Sequence, residues 1–214
     1  MPRVARRRTT AVTRRNVTGC NTAEAPGGRR YAGVMPDSTL PQVTVPFAAQ
    51  SKYQVRFDAG QGGLDRVADA DLLIWVDPLA LADAGVALDT PAATVIAANL
   101  TNRSAVATWA LDHQVRLGRR VSIAVVAAGR DGTASAPDLL AAGAVIDALI
   151  TRGIDFTSPE AAVASAAFDN LRNAVGHLFT ASVDGQALIA DGERERVVAA
   201  ARVDSSAEVA VLRD

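Results

Sequence analysis

From residue 50 onward, short apolar runs alternate with longer stretches of helical spacing. Gln54-Val55-Arg56-Phe57 alternates polar and apolar positions, as a half-buried strand does. Gly60 to Gly63 then lead into a short helix expected around Leu64–Asp69. Asp71–Asp77 (DLLIWVD), Thr94–Ala98 (TVIAA) and Val121–Ala127 (VSIAVVA) are continuous apolar runs, which suit strands buried on both faces. Ser104–Val115 puts Val106, Trp109, Ala110 and His113 on one helical face, and a further helix is predicted from about Pro137 to Thr151. The final third, from Ser158, reads as mostly helical and alanine-rich. Strands alternating with helices predict an α/β fold: a layered, largely parallel or mixed central sheet flanked by helices.

Residues 1–45 hold Arg, Thr, Gly and Pro with neither helical nor alternating periodicity, and are expected to be a disordered arm ahead of a single domain over 46–214. Eight arginines against Glu24 and Asp37 give residues 1–40 a net charge of +6, leaving −7 for the rest of a chain whose total is −1. A basic arm can bind nucleic acid or a membrane surface, with an affinity that falls steeply as salt rises. Its single aromatic, Tyr31, offers no stacking pattern of the kind single-strand binders use, so an extended start with true initiation near Met35 is favoured.

Composition narrows the chemistry. In 214 residues, 49% hydrophobic, there is ample material for one core. One lysine, Lys52, beside many arginines and abundant alanine is the bias of a GC-rich bacterial genome. The lone Cys20 excludes a disulfide framework and a cysteine-built zinc site, and two histidines leave little for a His-rich metal site or a Ser/His/Asp triad. No apolar run approaches the roughly 18 residues a membrane span needs, and the Arg-rich start has no secretory core. The expectation is a cytoplasmic protein, with no membrane partner and an unstated oligomeric state.

In parallel sheets, ligands gather beyond the carboxyl ends of the strands. Three polar segments fall there: Asp77, Asn99–Ser104 and Gly129–Asp138. The loop Gly129-Arg130-Asp131-Gly132-Thr133-Ala134-Ser135 is suited to cradling an anion, although it matches neither GxxxxGK[ST] nor GxGxxG. Each segment also has a purely structural reading. Asp77 precedes Pro78 and can open a turn. Ser135 and Asp138 have the spacing of a capping box, and Thr101–Ser104 that of a plain helix start. His113 and His177 both read as core-edge histidines, and Gly143 as a place where a helix lies close to the sheet.

The segment from Val126 to Leu149, with Ala128-Gly129, Gly132, Asp138 and Ala142-Gly143, resembles the 2-phosphosulfolactate phosphatase family. Thr101-Asn102-Arg103-Ser104 is similar to that family's Thr-Asn-Gly-Thr segment, and Ser182-x-x-Gly185-x-x-Leu188-x-x-x-Gly192 to its closing block, so the likeness extends over about residues 50–214. Asp77 stands where the family carries Asp-Val-Leu-Arg-Ala-Thr, but Pro78-Leu79-Ala80 follows it here, and no Gly-Glu-Arg-Gly-type loop is present. Pro137 and Arg103 also replace a family Glu and Gly.

The resemblance implies an Mg²⁺-dependent acid phosphatase that converts 2-phosphosulfolactate to sulfolactate and phosphate, on the route to coenzyme M. Carried over to this chain, Asp77 and Asp138 would hold Mg²⁺. Asn102, Ser104, Gly129, Arg130 and Gly132 would bind phosphate, with Arg103 or Arg130 stabilising the transition state. The missing family residues support an alternative, a catalytically silent relative acting as an anion-binding or structural protein.

Overall fold

The apolar runs become the centre of a five-stranded mixed sheet in the computed structural model, which describes residues 50–82, 85–130 and 133–214. The arm expected over 1–45, and Gly132 with it, lie outside the described residues. The strands are β1 (Val55–Ala59), β2 (Leu72–Val76), β3 (Thr94–Ala98), β4 (Ile123–Ala127) and β5 (Ala210–Arg213), in the spatial order β1-β4-β2-β3-β5. The first four run parallel, and β5 closes the edge antiparallel to β3. Every residue of β2 and β4 is buried, which is why these segments read as unbroken apolar runs rather than alternating ones.

Among the described residues the helices are α1 (Gly60–Val67), α2 (Gly85–Leu88), α3 (Arg103–Leu117), α4 (Ala136–Thr151), α5 (Pro159–Leu171), α6 (Val175–Ala181), α7 (Val183–Ala190) and α8 (Arg194–Ala200). They divide unequally between the two faces. Leu64, Val67 and Ala87 of α1 and α2 pack on Leu73, Trp75, Val95 and Val126. The other face carries the larger core, where Ile74, Ile96 and Val125 meet Val106, Ala110, Val145, Phe168 and Phe179 from the later helices. Each fully buried Leu, Ile or Phe contributes about 1.5–3 kcal/mol, so this larger layer dominates the fold's stability.

Four details depart from expectation. α1 begins at Gly60, ahead of the predicted Leu64, because Gly60 adopts φ 67° and Gly63 must lie against the Asp58 carboxylate, where a Cβ would come within 2.7 Å of Oδ1. Gly143 faces another helix rather than the sheet. A Cβ there would run into the Ala164 carbonyl, so this glycine lets α4 and α5 pack closely. β5 lies inside the stretch read as helical, and two of its four residues are exposed, which removes the apolar signal of a buried strand. His177 is exposed on α6, whereas His113 is buried as expected, stacked on Trp109 with ring centroids 4.9 Å apart. No helix among the described residues is long and apolar enough to cross a membrane.

Candidate active site

Four parallel strands put their carboxyl ends, Asp58-Ala59, Asp77, Asn99 and Ala128-Gly129, along one rim. β2 and β4 are neighbours there, yet α2 leaves β2 towards one face of the sheet while α4 leaves β4 towards the other. Such a divergence opens a crevice between the two strand ends.

Asp138 lies at the start of α4, beside this crevice and buried. Its Oδ2 accepts the Ser135 hydroxyl at 2.7 Å, the Gly129 amide at 3.2 Å and the Ser135 amide at 3.3 Å. The Asp138 amide returns a hydrogen bond to the Ser135 hydroxyl, completing the capping box that the spacing announced. Among the described residues all of these bonds fall on Oδ2, which leaves Oδ1 for another ligand. Burial pushes the Asp138 carboxyl up from 3.8 to about 6. The Ser135 hydrogen bonds pull against that rise, and the negative charges of Asp77 and Asp184 add to it.

Asp77 opens a turn, as its Asp-Pro sequence suggested. Its carboxylate accepts the Leu81 and Ala82 amides at 3.1 and 2.7 Å, and its carbonyl accepts the Ala80 amide. Its negative charge adds to the rise of the Asp138 carboxyl.

Gly129, at φ 71°, gives its amide to Asp138, while Arg130 and Thr133 bond each other's backbones at 2.9 and 3.0 Å. A cavity of about 590 Å³ is lined by Arg130, Thr133, Ser135 and Ala136 on one side and Ser182, Val183 and Asp184 on the other, so the N-termini of α4 and α7 converge on it. Among the described residues the amides of Ala136, Val183 and Asp184 carry no hydrogen bond, as expected for the first turn of a helix. Asp138 is one hydrogen bond from the lining residue Ser135. Arg130 lies 3.2 Å from the buried Asp184 carboxylate.

The remaining expected residues are drawn elsewhere. Arg103 pairs with Asp147 at 2.9 Å and Asp204 at 3.0 Å. Asp147 is nine residues beyond Asp138 on α4, about 13 Å along the helix axis, so Arg103 is held well away from Asp138. The Ser104 amide is taken by Asp204, and the Asn102 side chain bonds the Asn99 amide and the Glu208 carbonyl. These contacts fasten the C-terminal segment to the start of α3.

Asp184 was not legible as part of the site. The signal was there, since Ser182 caps α7 and Asp184 occupies its first turn, but nothing in the spacing sets residue 184 against residue 130.

The donor set around Asp138 is oxygen-only. No group of three or more His, Cys, Asp or Glu among the described residues is placed to hold a metal unaided.

An α/β sheet with a cavity at its carboxyl rim, built on two helix N-termini and an arginine, suits a small anionic ligand. Comparison with known families makes that specific: a family model described as 2-phosphosulpholactate phosphatase matches residues 84–214. The chain belongs to this family, and membership implies phosphatase activity on a small phosphoester. The matched residues take in β3, β4, α4 and α7, while β1, β2 and Asp77 precede them, a shorter span than the resemblance over 50–214. No curated protein matches the chain.

Proposed function

We propose that this protein hydrolyses a small anionic phosphomonoester, 2-phosphosulfolactate being the substrate its family points to, with the phosphate received in the cavity between α4 and α7. The observation that carries this is the convergence on one cavity of the Arg130 guanidinium and three amides unpaired among the described residues, one hydrogen bond from the buried Asp138 carboxylate. The amides of Ala136, Val183 and Asp184 can donate to phosphate oxygens without first breaking other bonds. Arg130 can add a charge-assisted contact, and so takes the role for which Arg103 was the other candidate.

Asp77 and Asp138 would hold Mg²⁺. Among the described residues each Asp77 oxygen accepts one amide and Asp138 Oδ1 accepts none, so lone pairs remain for a cation. When bound, the ion would draw negative charge off the phosphoryl group. Hydrolysis adds water across the phosphorus–oxygen bond, releasing the hydroxy acid and inorganic phosphate.

Phosphate release from 2-phosphosulfolactate and other phosphorylated hydroxy acids, with and without Mg²⁺, tests this reading. Mg²⁺-stimulated release that disappears in Asp138→Asn is the expected result, and none from any substrate would sink it. The second reading is an anion-binding relative without catalysis. It is favoured by the internal use of both carboxylates, Asp77 in its turn and Asp138 in its cap.

A further inference from the structure

One wall of the proposed phosphate cavity carries the wrong charge for its ligand. Asp184 lines it with only 7% of its side chain exposed, at the first turn of α7, and its Oδ1 lies 3.2 Å from Arg130 Nη2. The Arg130 side chain is 44% exposed, so one member of the pair is fixed and the other is free to move. Helix N-termini and guanidinium groups are the partners a phosphate takes, and here the guanidinium is already engaged by a carboxylate.

We infer that Asp184 is a specificity-determining residue: its carboxylate stands in for phosphate at Arg130, and a phosphoester enters the cavity by taking the guanidinium from it. This rests on the reading of the cavity as the phosphate site. Two consequences follow from charge alone. A single contact to Asp184 is exchanged for the fork of contacts a phosphate can accept, so entry is feasible. The displaced carboxylate then faces the bound anion in a poorly hydrated wall, so free inorganic phosphate, which brings no other binding group, is held weakly and leaves readily. Asp184 thereby favours the ester over the product.

Calorimetric titration of inorganic phosphate into the full chain tests this. Asp184→Asn is expected to bind phosphate at least about tenfold more tightly than the wild type, through removal of a near-contact repulsion. Asp184→Glu, which keeps the charge, should stay within about threefold of the wild type, and Arg130→Ala should lose binding. Asp184→Ser serves as the second neutral variant should the Asn protein fail to fold. A merely structural role for Asp184 would weaken phosphate binding in the neutral variants, the opposite direction. If the wild type binds through Arg130 and neither neutral variant binds more tightly, the inference is overturned and the cavity reading stands. If phosphate binds to neither the wild type nor the neutral variants, or binds equally to Arg130→Ala, the cavity reading falls and takes the inference with it.

Discussion

Ser135 and Asp138 hold each other reciprocally: the hydroxyl donates to Oδ2 at 2.7 Å and the Asp138 amide donates back to the hydroxyl at 3.4 Å. The same carboxylate that caps α4 also receives the Gly129 amide, so capping the helix and shaping the loop after β4 are one interaction. A residue committed in this way need not be lost to chemistry, because among the described residues its second oxygen remains uncommitted.

Asp138 makes stability depend on pH. Its carboxyl is raised from 3.8 to about 6, so the folded state binds this proton more tightly than the unfolded chain does. The stability it contributes is fully present below about pH 4 and is lost as pH rises through 6, a total of about 3 kcal/mol. Asparagine keeps an acceptor for the cap without the charge. Urea melts should therefore find Asp138→Asn more stable than the wild type by about 1–3 kcal/mol at pH 8, with the difference vanishing near pH 4. An equal difference at both pH values would show that buried charge is not the cause.

Arg130→Ala should lower kcat/KM for phosphate release by about 100-fold, the effect expected on removing a charged donor from an oxyanion. Arg130→Lys should recover only part of this, since a point charge cannot make a forked contact. Steady-state kinetics on the best substrate would measure both. A wild-type rate in Arg130→Ala would move the phosphate site away from this cavity.

Gly143→Ala tests the packing of α4 on α5. The new methyl would meet the Ala164 carbonyl and stand 3.1 Å from Phe168 Cβ, neither of which can retreat without moving a helix. A loss of about 1–3 kcal/mol in chemical denaturation is expected. An unchanged midpoint would mean that the two helices separate more freely than their contact implies.

Asp204→Ala tests the C-terminal fastening. Partial burial raises the Asp204 carboxyl, but hydrogen bonds from Ser104 and Arg103 outweigh this and leave it below the ordinary carboxylate value. A depressed group stabilises the fold above its unfolded pKa, and that stability is lost as pH falls through the folded value. Removing it should cost about 1–2 kcal/mol at pH 7, comparable to losing a helix cap. The gap to the wild type should close at more acidic pH, which thermal melts across pH would follow.

Much of this protein was readable before any coordinate. β2, β3 and β4 fall within a residue or two of their apolar runs, because a strand buried on both faces must be apolar throughout. α3 and α4 follow from periodicity, and the Ser135–Asp138 cap from spacing alone, since a helix end is settled by residues three apart. Asp77 as a turn residue was equally local. β5 was hidden because an exposed four-residue edge strand carries no buried pattern.

What the chain determines by itself is therefore what near neighbours set: the buried strands β2, β3 and β4, the helices α3 and α4, the Ser135–Asp138 cap, and the family blocks around residue 130. Only the tertiary structure decided that Arg103 closes on Asp147 and Asp204 rather than on Asp138, and that Arg130 meets Asp184 across a cavity. The physical reason is that charge pairing depends on distance in space, and the strand order β1-β4-β2-β3-β5, with the starts of α4 and α7 brought to one cavity, sets those distances between residues far apart in sequence.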